Sequence, residues 1–402
     1  MAPEHFSRRD WLRAGATGMA GALAGPWPGW AQSAAESRAK TLDGNIWVLI
    51  ELRGGNDGLN TVVPFTDPAY LQLRPAIGLR DDQVLKLDER TGLNVALQAL
   101  LPLWEKNELA IVQGVGYPSP NLSHFRSVEI WDTASHADEY LREGWAARGL
   151  RELSARSPGF TCEGVRMGSS EMGPLTGAKA VTLNDPESFV LQASQAGSMA
   201  PGSTHNPALA QLLRVQAQVQ GAVAGLQAAQ FPFTTVFPAG PFGARLRACA
   251  QVLVSQQGRG GVPVVMLTLG SFDTHRNQVA LHGNLLRQLA EGFAALKSAF
   301  TEIGLWDRTL LMTFSEFGRR ARQNQSDGTD HGTAAPLLLA GGAVRGGLYG
   351  KAPELGRLDA NQNLLHTVDF RQVYSTLARR WWGVNPEAVA RGKFDPLDFL
   401  RG

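Results

Sequence analysis

Asn45-Ile46-Trp47-Val48-Leu49-Ile50-Glu51-Leu52, running directly into Arg53-Gly54-Gly55-Asn56-Asp57-Gly58, is the stretch on which the fold turns. A short, nearly continuous apolar run bounded by glycines is the pattern of a strand buried on both faces, because such a strand has no solvent side to make polar. Three later runs share this grammar. Leu109 to Val115 leads into Asn121-Leu122-Ser123-His124, Val262 to Leu269 into Gly270-Ser271-Phe272-Asp273-Thr274-His275, and Thr309 to Phe314 into Ser315-Glu316-Phe317-Gly318-Arg319. Apolar residues recur at helical spacing over Asn94 to Trp104, Phe125 to Trp131 and Val279 to Phe300. Strands alternating with helices predict an α/β fold with a mostly parallel central sheet and helices on both faces. In such sheets ligands bind outside the carboxyl ends of the strands, where the polar clusters are expected to meet.

The remaining composition narrows the class. With 402 residues, 44% of them hydrophobic and 18% charged, the chain is long enough for a well-buried core. Its net charge of +2 leaves no broad basic surface, so no nucleic-acid partner is expected and a small substrate in a cleft is the default.

The N-terminus reads as an address. Ser7-Arg8-Arg9-Asp10-Trp11-Leu12 has the twin-arginine pattern, and the apolar stretch from Ala14 to Gly25 is too short for a membrane span of about 20 residues. Residues 1–31 are expected to be a signal peptide, 32–44 a linker and 45–402 a single α/β domain, with 144–235 as an insertion or cap inside it. The implied location is periplasmic or extracellular, with no transmembrane anchor. The two cysteines, Cys162 and Cys249, are permitted one bridge in such a compartment, and two separately buried thiols are the alternative.

Several polar residues at the strand ends could carry chemistry. Asp57 lies between Gly55 and Gly58 and reads either as a turn residue or as a carboxylate directed out of the strand end. Ser123 precedes a helical pattern, where it caps the helix or presents a hydroxyl in a field that favours anions; Arg126 could add a charge-assisted bond to an oxyanion. His124 fits a ligand, a general acid or a packing residue. Asp273 and His275 could reach one divalent cation, and zinc or manganese accepts both donor types. Glu316 reads as a metal carboxylate or as the salt-bridge partner of Arg319 or Arg320, and Asp330-His331-Gly332 places two more donors on a glycine-flanked loop. His136, His205 and His282 are read as structural.

These motifs together resemble a known family. Arg53-Gly54-Gly55-Asn56-Asp57-Gly58-Leu59-Asn60, Phe272-Asp273-Thr274-His275, Ser315-Glu316-Phe317-Gly318-Arg319 and Gly328-Thr329-Asp330-His331-Gly332 are similar to the twin-arginine-exported bacterial family catalogued as domain of unknown function 1501. That family is grouped with the alkaline-phosphatase-like superfamily of phosphatases, sulfatases and cofactor-independent phosphoglycerate mutases. The resemblance implies an alkaline-phosphatase-like sheet, one or two metal ions and a hydroxyl nucleophile at a helix start. Asp57, Asp273, His275, Glu316 and His331 then correspond to the metal ligands and Ser123 to the nucleophile; Asp330 could replace the ligand lost at Phe317, and His124, Arg126 and Arg319 are the further catalytic candidates. Phe317 stands where the superfamily has a histidine ligand, so at least one metal position is altered.

The expected function is an exported metal-dependent hydrolase of a phosphate or sulfate ester. It would use zinc or manganese, with calcium or magnesium as alternatives, act on a small anionic ester, and attack through the Ser123 hydroxyl or a metal-activated water. The rival expectation is a non-catalytic envelope protein that keeps the fold, with one structural metal and a protein partner.

Overall fold

The computed structural model describes residues 44–157, 159–183, 233–256 and 261–401. The predicted signal peptide and nearly all of the linker lie outside the described residues, as do His205 and most of the Gln/Ala-rich part of the predicted cap. The elements run β1 (Ile46–Leu52), β2 (Val62–Val63), α1 (Pro68–Leu73), β3 (Val84–Lys86), β4 (Gly92–Asn94), α2 (Leu101–Glu105), β5 (Leu109–Gly116), α3 (His124–Thr133) and α4 (Trp145–Arg156). They continue with β6 (Gly164–Met167), β7 (Ala180–Thr182), α5 (Pro241–Ser255), β8 (Val264–Leu269), α6 (Gln278–Glu302), β9 (Thr309–Phe314) and β10 (Ala335–Ala340). The last are β11 (Gly347–Gly350), β12 (Val368–Asp369), α7 (Phe370–Leu377) and α8 (Pro386–Ala390).

The central sheet has the order β11-β5-β10-β9-β1-β8-β6-β7, with β12 also pairing to β5. β1 sits in its middle, parallel to β8 on one side and β9 on the other. Only β10 runs against its neighbours, β5 and β9. The mostly parallel sheet expected from the sequence is therefore present, with one reversed strand. That reversal has a consequence for the site: the residues before β10, not those after it, lie at the edge where the parallel strands end. The described part of 144–235 supplies α4, β6 and β7, so this segment extends the sheet itself.

Period-2 alternation along β1 divides the core into two layers. Val48 and Ile50 face one side with Leu267, Leu246 of α5 and Leu286 and Phe293 of α6. Trp47 and Leu49 face the other with Met266, Met312, Trp131 of α3, Trp145 of α4 and Tyr374 of α7. All seven β1 residues are buried. Helices cover both faces, which is why the parallel strands are apolar throughout.

The predicted helix over Asn94 to Trp104 is in fact a 3₁₀ segment, Val95–Leu100, followed by α2. Pro102 explains the break, since its missing N–H and fixed φ suit the first turn of a new helix and not the interior of one. Cys162 and Cys249 are free thiols, both buried, so the structure contains the pair of separate thiols and no bridge between them. Among the described residues, no helix is long and apolar enough to cross a membrane.

Candidate metal centre

The four polar turns converge at one edge of the sheet, and glycine permits the closest of the approaches. Gly54 has φ +120°, and a Cβ there would stand 2.4 Å from the Asp273 amide nitrogen; one on Gly55 would stand 2.4 Å from the Phe317 ring. The turn after β1 thus lies directly against the turns after β8 and β9. After β8 the chain turns at Ser271, whose φ is +77°. Phe272 and Thr274 are buried, whereas Asp273 is exposed and His275 half-buried, which leaves both side chains available at the sheet edge.

His331 arrives by a different route. Gly318 to Arg320 pair antiparallel with Asp330 to Thr333 through an Arg319–His331 bridge, including Gly332 N–H to Gly318 O at 2.9 Å. This small ladder holds His331 beside Arg319 just before β10 begins. His124 is the first residue of α3.

In both ligand-type imidazoles Nδ1 is anchored and Nε2 is left facing the centre. His124 Nδ1 lies 2.8 Å from Glu316 Oε1, and His331 Nδ1 lies 2.9 Å from the Leu122 carbonyl. His124 Nε2 is 3.6 Å from Asp273 Oδ2, and His331 Nε2 is 3.2 Å from Asp273 Oδ1. Ligand atoms of His124, Asp273 and His331 all fall within 4.8 Å of one another. His275 Nε2 adds a fourth donor, 3.0 Å from Asp273 Oδ1 and 3.1 Å from His331 Nε2. Phe317 forms the floor, with its ring centroid 4.8 Å from that of His124 and 4.6 Å from that of His331. Phe317 therefore packs against two imidazoles.

The electrostatics favour cation binding. Burial lowers the pKa of His331, and a ring whose Nδ1–H donates to Leu122 directs a lone pair from Nε2 towards the Asp273 carboxylate. Two acceptors facing at that distance repel unless a proton or a cation lies between them. Burial alone would raise Asp273, but the Arg319 guanidinium, at 2.6 Å, outweighs it and holds the carboxyl below its ordinary range. Hydrogen bonding to Glu316 raises His124. Two imidazoles and one carboxylate form a donor set that zinc accepts readily, so the residues present fit a divalent cation.

The other residues singled out from the sequence take different places. Asp57 is buried and ion-paired to Arg74 at 2.6 Å, with Gln278 also donating to it, so its carboxylate is spent away from the cluster. Glu316 is buried, accepting from Gly54 N–H at 2.9 Å and from His124, which makes it a support for a ligand in this arrangement. Asp330 lies 3.4 Å from His275 Nδ1 and 3.2 Å from the Asn324 amide, at the outer rim. Arg126 turns to the carbonyls of His136, Ala137 and Glu139. Arg319 is fully buried, with its nitrogens directed to Gly55 O, Thr329 O, Gly54 O and Asp273, so its guanidinium serves the fold and is not exposed to an ester. Ser123 is the exposed N-cap residue of α3, and its hydroxyl caps no helix amide.

The structural reading of two other histidines holds. His282 is buried and bonded to Asn56 Oδ1 at 2.9 Å, with burial pushing it down to about 4, and His136 bonds Arg371 at 2.9 Å. Sequence reasoning missed Arg53. It lines a cleft of about 560 Å³ that opens beside His124 and Glu316, and it reaches Glu171 at 2.7 Å.

The chain belongs to the family described as "Protein of unknown function (DUF1501)", whose model matches residues 163–392. No curated protein is found as a relative. The PsFucS1 sulfatase from Pseudoalteromonas sp. is similar at 12% identity and TM-score 0.43, over 93% of this chain and 75% of that one. A protein in the alkaline phosphatase superfamily from Vibrio parahaemolyticus is similar at 10% identity and TM-score 0.36, over 76% of this chain and 62% of that one. The C-terminal periplasmic domain of EcEptC from Escherichia coli, in complex with zinc, is similar at 10% identity and TM-score 0.34, over 75% of this chain and 74% of that one.

Proposed function

We propose that this chain is an exported hydrolase of a phosphate or sulfate ester, working with a divalent cation held by His124, Asp273 and His331. The observation that carries the reading is the convergence of those three donors within 4.8 Å, with two imidazoles anchored so that Nε2 faces the carboxylate. When bound, such a cation supplies Lewis-acid neutralisation of charge on the ester oxygens. Zinc or manganese suits the donors, and His275 is adjacent as a fourth.

Ser123 stands immediately before His124 at the start of α3, where unpaired helix amides favour an anion. In this reading its hydroxyl oxygen bonds phosphorus or sulfur, and the bond to the ester's alcohol breaks. The alcohol leaves with a proton, and water then releases the anion and restores the hydroxyl. Direct attack by water is the alternative route. Arg53, on the cleft, is the guanidinium placed to meet the remaining oxygens, in the role the sequence had suggested for Arg126 or Arg319.

One observation favours a second reading. Arg319 already donates to Asp273 at 2.6 Å, so the cluster is held together without a cation, as a non-catalytic envelope protein with a binding role would require. A panel of aryl phosphates and aryl sulfates, assayed with the zinc- or manganese-loaded protein, separates the two. The hydrolase reading expects turnover of one ester class, reduced by orders of magnitude in Ser123→Ala if the covalent route operates. Cleavage of neither class across a broad pH range leaves the binding role.

A further inference from the structure

Two loops supply most of the donors in the cluster, and a buried bridge joins them behind it. Asp273 and His275 flank Thr274 on the loop after β8, and His331 follows Thr329 by two residues on the loop before β10. The distances that decide cation binding run between these loops. His331 Nε2 is 3.2 Å from Asp273 Oδ1 and 3.1 Å from His275 Nε2. Metal–ligand distances tolerate only about 0.2 Å of error, so the separation of the two loops has to be fixed by something other than their own backbones.

Backbone contact does part of this. Thr329 N–H donates to Thr274 O at 3.2 Å, and a Cβ on Gly328 would stand 2.2 Å from the His275 carbonyl carbon, so glycine permits the approach. The rest falls to Gln278, the first residue of α6, which is completely buried. Its Oε1 accepts from Thr274 Oγ1 at 3.0 Å and from Thr329 Oγ1 at 2.6 Å, one hydroxyl from each loop. Its Nε2 donates to Asp57 Oδ2. The carboxamide has only one workable direction. Asp57 is ion-paired to Arg74 and can only accept, so the NH₂ faces it, Oε1 faces the threonines, and both hydroxyls have to donate. An amide oxygen offers two lone pairs, and both are taken. Thr274 and Thr329 are 3% and 0% exposed, so solvent replaces neither bond. Behind Gln278, α6 is anchored in the core through Leu285, Leu286, Leu289 and Phe293.

We propose that Gln278 is a positioning residue of the metal centre: its carboxamide, oriented by Asp57, holds the Asp273–His275 loop against the His331 loop at the separation one cation requires. Asp57 then orients this bridge in place of the ligand role suggested by the sequence. The inference rests on the metal-centre reading and deepens it.

Gln278→Ala would open a cavity as well as break the bridge, so the threonine hydroxyls give the sharper test. Thr274→Val and Thr329→Val each remove one bond at nearly unchanged volume. In competition with a chelating dye, each is expected to bind zinc about tenfold more weakly than the wild type, at the lower end of the cost of losing a supporting contact. Thr274→Ser and Thr329→Ser keep the hydroxyl and are expected to restore the affinity. Valine variants that lose stability in urea but bind zinc as the wild type does overturn the proposal and leave the metal centre standing. A second measurement needs no metal. The His275 and His331 rings lie 4.9 Å apart between centroids, so a nuclear Overhauser effect between their ring protons is expected in the zinc-free wild type and is expected to be lost in the valine variants. Should the wild type take up no zinc, the metal reading fails and this ring contact alone decides the bridge. Its loss in the valine variants upholds the bridge; its absence from the wild type, or its persistence in folded variants, overturns it.

Discussion

Glu316 Oε1 lies 2.8 Å from His124 Nδ1 and 2.9 Å from the Gly54 amide, so a buried carboxylate ties the first residue of α3 to the turn after β1. A carboxylate behind an imidazole fixes the ring's orientation and tautomer and makes its other nitrogen a better ligand. Glu316→Gln is therefore expected to weaken zinc binding about 10–100-fold, the usual cost of losing such a support. Competition with a chelating dye measures this, with far-UV circular dichroism confirming the fold. Unchanged affinity would reduce Glu316 to a turn-packing residue.

Asp273 has an exposed side chain and His331 a half-buried one, and neither packs in the apolar core, although Asp273 is the carboxylate bonded to the buried Arg319, so that some stability is lost with it. Asp273→Ala and His331→Ala should each lose the bound cation while keeping the wild-type circular dichroism spectrum. Full occupancy in both, read by elemental analysis after gel filtration, would assign these residues to structure.

Asp57 and Arg74 form a fully buried pair at 2.6 Å, with Arg74 also donating to Asn60 Oδ1, Ala321 O and Arg320 O. Asp57→Ala leaves that guanidinium without its counter-ion and is expected to cost ~3–5 kcal/mol in urea unfolding. Burial would raise the Asp57 carboxyl, but Arg74 outweighs it and holds it below its ordinary value. A depressed folded-state pKa means that the stabilisation is complete above the unfolded-chain value of about 3.9 and is lost as pH falls through the lower folded value. Acid titration of Asp57→Ala should therefore lack part of the stability loss seen in the wild type below about pH 4. Parallel acid curves for the two proteins would contradict this.

The edge-of-sheet site was legible because its signal is local. An apolar run followed by glycines and polar residues marks both a buried strand and what it delivers, and the spacing of two on the loop after β8 already lets Asp273 and His275 reach one centre. Partners set by tertiary packing were not legible. Nothing in Asn56-Asp57-Gly58 reveals that Arg74, from just after α1, neutralises the carboxylate, and nothing in Ser315-Glu316-Phe317 shows that Glu316 supports His124. Arg126 and Arg319 looked available because sequence shows a charge but not the backbone carbonyls that consume its donors. The reversed direction of β10 was equally hidden, and it decides that His331 joins the cluster from in front of its strand.

The proposed export would depend on Arg8 and Arg9, which lie outside the described residues. Replacing Arg8 and Arg9 together by Lys is expected to retain the protein in the cytoplasm, as fractionation and immunoblotting would show, because the twin-arginine signal is read through both side chains. Undiminished export would remove the assigned compartment.

The central claim is that His124, Asp273 and His331 hold a cation. Elemental analysis of the wild-type protein, purified without added metal or chelator, tests this most directly. The account predicts at least one zinc or manganese ion per chain. A folded protein with no bound transition metal, which also takes up none on titration with zinc, would contradict it.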